Sequence, residues 1–115
     1  MKDNNLILEK IIKLSLESEK KYREGDYKGA VEEKRKIKLI LNEIPLEGEL
    51  LEKYKKHLLL LYPSKFDLIY DHKLKIDNTK RVSIIQLLEK KSEAKYNKGD
   101  YKGAIKALRR SEKYI

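Results

Sequence analysis

The chain has 115 residues, 28 Lys and Arg against 19 Asp and Glu, a net charge of +9 and no cysteine. A chain of this length buries roughly 65% of its unfolded surface, so one core suffices without metal or disulfide. The missing cysteines exclude disulfides, thiolate catalysis and cysteine-based zinc sites and fit a reducing compartment, while His57 and His72 are too few for a metal centre.

At the N-terminus Glu9, Lys10 and Lys13 interrupt the apolar residues, so no signal peptide is read. The longest uninterrupted apolar run, Leu58 to Tyr62, is far too short for a membrane span, and a cytoplasmic protein without membrane contact is expected. Residues 6–22 carry Ile7, Ile11, Leu14 and Tyr22 at helical spacing, with Leu8 and Ile12 widening the stripe. Gly25 then stops the helix and Asp26 caps the next one. Tyr27 covers the crossing, and Ala30 lets the two helices approach closely. This first hairpin spans about residues 4–44. A divergent hairpin follows over about 46–74. Its first helix, 46–62, places Leu46, Leu50, Leu51, Tyr54, Leu58 and Leu61 on one face, with Pro45 at its start and Pro63 ending it. Ser64-Lys65-Phe66-Asp67 reads as a capping box opening a short helix through about Lys73. Lys75 to Thr79 is a linker, with Asn78 or Thr79 capping the helix after it. The last hairpin, about 79–115, repeats the turn with Gly99, Asp100, Tyr101 and Ala104. The expectation is an all-α single domain of six helices in three antiparallel hairpins.

Repetition is the strongest signal. Gly25-Asp26-Tyr27-Lys28-Gly29-Ala30 recurs unchanged 74 residues later as Gly99-Asp100-Tyr101-Lys102-Gly103-Ala104. Ile11, Leu14, Ser18 and Tyr22 align with Ile85, Leu88, Ser92 and Tyr96 at the same offset. These two stretches, about 11–44 and 85–115, resemble the tetratricopeptide family, whose turn looks like Gly-Asp-Tyr-x-x-Ala. The bulky residue eleven before the glycine (Leu14, Leu88), the small residue seven before (Ser18, Ser92) and the tyrosine three before (Tyr22, Tyr96) follow the family's pattern. Lys21 and Lys95 depart from a position usually aromatic, Ile37 and Ser111 from one usually alanine, and no proline closes either unit. The turn motif also occurs in other helical hairpins such as MIT-like bundles. Family units run about 34 residues, so one further hairpin fits within the offset. The resemblance implies binding of peptides or protein segments in a groove.

No glycine-rich phosphate loop is present, since the five glycines fall at the two turns and at Gly48. Asp71-His72 is the only adjacent acid–histidine pair, and a surface helix end is its ordinary explanation. Glu32 and Glu33 lie among Lys34, Arg35 and Lys36, a pattern of helix ion pairing rather than acid–base tuning. No catalytic, cofactor or metal residue is assigned, and no enzyme is expected. The Lys-, Glu-, Ile- and Tyr-rich composition is that of heat-adapted proteins or of an AT-rich genome.

Charge is uneven: residues 1–30 carry +1, residues 31–85 carry +3 and residues 86–115 carry +5. Lys102, Lys106, Arg109, Arg110 and Lys113 fall on one side of the final helix, opposite Ile105, Leu108 and Ile115. Lys91, Lys95 and Lys98 form a second row on the helix before it. Three readings of these rows remain open: a solvated face, a track for nucleic-acid phosphates, or a surface for an acidic protein. A stacked array also needs a polar end cap, and with the chain ending at Tyr114-Ile115, homodimerisation or partner docking through the last hairpin is expected. The leading expectation is a protein-interaction adaptor, with a nucleic-acid-associated accessory protein as the alternative.

Overall fold

The computed structural model describes residues 4–63 and 78–115. They form five helices: α1 (Asn4–Arg23), α2 (Tyr27–Glu43), α3 (Gly48–Leu61), α4 (Asn78–Asn97) and α5 (Tyr101–Glu112). The protein is all-helical, with no strand among the described residues. The short helix expected to end near Lys73, its capping box and linker residues 75–77 lie outside the described residues. Helix α4 already includes Asn78, so Thr79 sits inside it rather than ahead of it. Helix α3 begins at Gly48, which leaves Leu46 before the helix. The chain divides into two compact units, Met1–Tyr54 and Lys55–Ile115.

In the first unit, α1 and α2 make an antiparallel hairpin around one economical turn. The Gly25 N–H donates to the Tyr22 carbonyl (3.2 Å) and the Asp26 N–H to the Lys21 carbonyl (2.8 Å), the paired bonds of a Schellman motif. That motif requires a left-handed residue, and Gly25 takes it at φ +85°. Asp26 completes the end of α1 and also opens α2, its carboxylate accepting from the Gly29 N–H at 3.0 Å. Gly29 has its own reason to be glycine: a Cβ there would collide with the Asp26 carboxylate. One turn further on, the buried Ser18 hydroxyl donates to the Ala30 carbonyl at 2.8 Å, and Ala30 is fully buried. The small pair Ser18 and Ala30 lets the helices approach closely, and the bond between them satisfies the buried serine hydroxyl. Leu8, Ile11, Val31, Ile37 and, on α3, Tyr54 are the other buried apolar residues of this unit. Each such side chain contributes on the order of 1.5–3 kcal/mol through burial.

The second unit repeats this construction. Gly99 lies at φ +83°. The Gly99 N–H donates to the Tyr96 carbonyl at 3.0 Å, and the Asp100 N–H to the Lys95 carbonyl at 2.9 Å. The Asp100 carboxylate accepts from Gly103 at 2.9 Å, and the Ser92 hydroxyl donates to the Ala104 carbonyl at 2.8 Å. Tyr96 and Tyr101 pack edge-on at 5.1 Å, as Tyr22 and Tyr27 do at 5.7 Å. Leu58, Tyr62, Ala104, Ile105 and Ala107 are its buried apolar residues.

Candidate binding surface on the last hairpin

Helix α5 is sharply two-sided. Ala104, Ile105, Ala107, Ser111 and Glu112 are buried. At 100° per residue, Lys102, Lys106, Arg109, Arg110 and Lys113 share an arc of about 100° facing away from them. Lys102, Lys106 and Arg110 are exposed, whereas Arg109, at one edge of the arc, and Lys113, at the C-cap of the helix, are half-buried. Arg109 has a structural occupation: its guanidinium sits 5.3 Å from the centre of the buried Tyr62 ring, a cation–π contact joining α5 to the end of α3.

On α4, Lys91 is exposed and Lys95 half-buried, whereas Lys98, expected on the same helix, lies just past its end in the turn, where it is exposed. The Lys95 ammonium lies 3.7 Å from the Asp100 carboxylate, so its charge leans toward the turn. Of the eight basic residues singled out by spacing, Lys91, Lys98, Lys102, Lys106 and Arg110 are the exposed ones. Lys95, Arg109 and Lys113 border them.

The first hairpin handles charge differently, and it does so through a residue that spacing did not single out. Glu33 is buried on α2, and one of its oxygens accepts from the ammonium groups of both Lys21 (3.2 Å) and Lys36 (3.1 Å). Burial pushes the Glu33 carboxyl upward, but the Lys36 and Lys21 hydrogen bonds and charges prevail and hold it below the ordinary value. The hydrogen bond to Glu33 raises Lys21 in turn. Shifting these residues by the 74-residue repeat replaces Glu33 by Ala107, Lys21 by Lys95 and Lys36 by Arg110. The acid of the triad is gone while both cations stay. Comparing the two copies position by position was the signal that could have found it.

Other features carry less. In the first unit a cleft of about 110 Å³ is lined by Ile7, Ile44, Pro45, Leu46, Glu47 and Leu50, well below the ~300 Å³ of the smallest usual ligand pockets. Among the described residues, no group of three or more His, Asp or Glu side chains is arranged to hold a metal, and no helix is long and apolar enough to cross a membrane. His57 is half-buried on α3, and Asp71-His72 lies outside the described residues. Comparison with family models, with curated proteins and with solved structures returned no match. The tetratricopeptide likeness accordingly rests on the residues of the two hairpins themselves.

Proposed function

We propose that this chain is a non-catalytic adaptor, in which a duplicated helical hairpin is the scaffold and its solvent faces hold a partner protein. The observation that carries this reading is the division within each hairpin. The turn, the aspartate cap and the serine bond between helices are built twice with matching geometry, while the outward residues differ. A repeated frame with altered faces is the economy of binding scaffolds, where the interior supplies shape and the exterior supplies recognition. The buried serine hydroxyls are spent on backbone carbonyls, a structural rather than a chemical use. On the first hairpin, Leu16 of α1 and Leu39 of α2 are large apolar residues exposed among mixed charges, a composition suited to a protein contact.

The test is capture of partners by the tagged chain from its source cells, followed by reconstitution with the purified candidate partner. The adaptor reading expects a stoichiometric complex that persists at moderate salt and is weakened at least tenfold by Leu16→Glu with Leu39→Glu. Failure of any captured protein to reconstitute a stoichiometric complex overturns it.

A further inference from the structure

We infer that the last hairpin carries a separate interaction surface that binds the phosphate backbone of nucleic acid. The argument starts from the duplication. The eight basic positions of the last hairpin have eight counterparts in the first: Glu17, Lys21, Glu24, Lys28, Glu32, Arg35, Lys36 and Leu39. Those counterparts contain four bases and three acids, for a net charge of +1; the last hairpin carries +8 at the same backbone positions. The turn and the bond between helices have not changed, so the fold did not require the difference. Folding is indeed disfavoured by it, because like charges at i,i+4 spacing repel.

Loss of the buried acid matters most. In the first hairpin Glu33 pairs with both Lys21 and Lys36, although Lys36 stays exposed. With Ala107 in its place, no carboxylate stands between Lys95 and Arg110 at the equivalent position, and Lys95 instead makes a looser 3.7 Å approach to an aspartate already capping α5. Exposed Lys102, Lys106 and Arg110 then step along α5 at i, i+4 and i+8, about 6 Å apart along the axis, with Lys91 on the antiparallel α4 and Lys98 in the turn between the two helices.

This face suits a polyanion better than a protein or a bilayer. The cores of protein interfaces are depleted in lysine and built on aromatic and aliphatic anchors, whereas nucleic-acid interfaces are strongly positive and polar. A helix lying on a membrane needs an apolar face beneath its cations, and the outward arc of α5 is occupied by lysine and arginine alone.

Fluorescence anisotropy of the full-length chain with labelled mixed-sequence 30-nucleotide RNA and a DNA duplex, between 50 and 200 mM salt, tests the assignment. The informative variant returns three positions to their first-hairpin residues: Lys91→Glu, Lys98→Glu and Lys106→Glu. The first hairpin folds with glutamate at the equivalent sites, and circular dichroism verifies helicity. Its control removes the same charge elsewhere, by Lys10→Glu, Lys13→Glu and Lys20→Glu. The parent is expected to lose on the order of 10³-fold in affinity across that salt range. The last-hairpin variant is expected to bind at least about tenfold more weakly at 50 mM, with a salt slope shallower by about two to three. The control stays within about threefold of the parent. Absence of parent binding at 50 mM overturns the inference, as does equal loss in both variants, which would reduce the effect to net charge. Tighter binding to vesicles containing phosphatidylserine, or displacement of the RNA by polyglutamate at equal charge, would reassign the surface to lipid or to acidic protein. None of these outcomes bears on the partner-protein complex, which has its own test.

Discussion

The two hairpins share one turn and differ in how their first helices are buried. Both close with a Schellman bond pair, an aspartate that ends one helix and starts the next, and a serine hydroxyl bound to an alanine carbonyl at 2.8 Å. Yet α1 buries Leu8, Ile11, Ser15, Ser18 and Glu19, whereas the equally long α4 has only Ser92 buried among its described residues. Its apolar residues Val82, Ile84, Ile85, Leu87 and Leu88 are spread around the helix instead of gathered in a stripe, and Leu87 is 67% exposed. Turn geometry is encoded by the half-dozen residues that make it. Burial depends on what the rest of the chain brings to the helix, and duplication does not carry that along.

The strongest way to break this comparison is at Ile11 and Ile85, which occupy the same repeat position. Ile11 is fully buried and Ile85 only half-buried. Ile11→Ala is expected to destabilise its unit by about 2–5 kcal/mol through lost burial and a residual cavity. Ile85→Ala is expected to cost less than half as much. Chemical denaturation, with amide hydrogen exchange resolving each hairpin, measures both. Equal costs would mean that the two first helices are packed alike after all.

At the turns, by contrast, the copies are expected to behave alike. A side chain added at Gly25 or Gly99 meets nothing within 4 Å, so the penalty comes from the positive φ alone. Gly25→Val and Gly99→Val are each expected to cost about 1–2 kcal/mol, read from the same denaturation curves. A Gly99→Val protein as stable as the parent would contradict the left-handed turn. Ser18→Ala and Ser92→Ala should follow at about 1 kcal/mol each, since both remove the side-chain hydrogen bond that crosses between the two helices. A large difference between these two would show that one helix pair relaxes to admit water and the other does not.

How much of this was legible in the sequence follows from the same division. Gly25, Asp26, Gly99 and Asp100 announce helix ends because their chemistry acts on the adjacent backbone, whatever lies farther away. The glycines at 29 and 103 were visible as part of the hexapeptide, but their purpose, leaving room for the capping carboxylate, needs the folded turn. Spacing placed Arg109 in the basic row, while the aromatic ring it rests on comes from Tyr62, 47 residues earlier. In the sequence Glu33 and Glu32 look alike, two acids on a charged helix surface. One of the two faces α1 and the other faces solvent, and composition alone does not choose between them.

That choice leads to the smallest expected difference, which is also the one most specific to a single hairpin. Glu33 titrates below the ordinary carboxylate value of 4.5 because Lys36 and Lys21 more than offset its burial. A depressed carboxylate contributes stability that is present above its unfolded pKa and disappears as pH falls through the folded one. Lys21 is shifted the opposite way, upward from 10.5, so its contribution holds below that value and is lost as pH rises through the higher folded one. The first hairpin should therefore surrender a small increment of stability below about pH 4.5 that Glu33→Gln abolishes. The last hairpin, with Ala107 at the equivalent position, has no such triad to lose. Hydrogen exchange at pH 6 and pH 4, compared between parent and Glu33→Gln, isolates this effect from the general titration of exposed acids. If α1 and α2 amides in the two proteins change protection equally between those conditions, the triad contributes nothing to folding. An acid-sensitive difference confined to the first hairpin would show that Glu33 makes Lys21 and Lys36 structural there, a role without a counterpart at Ala107.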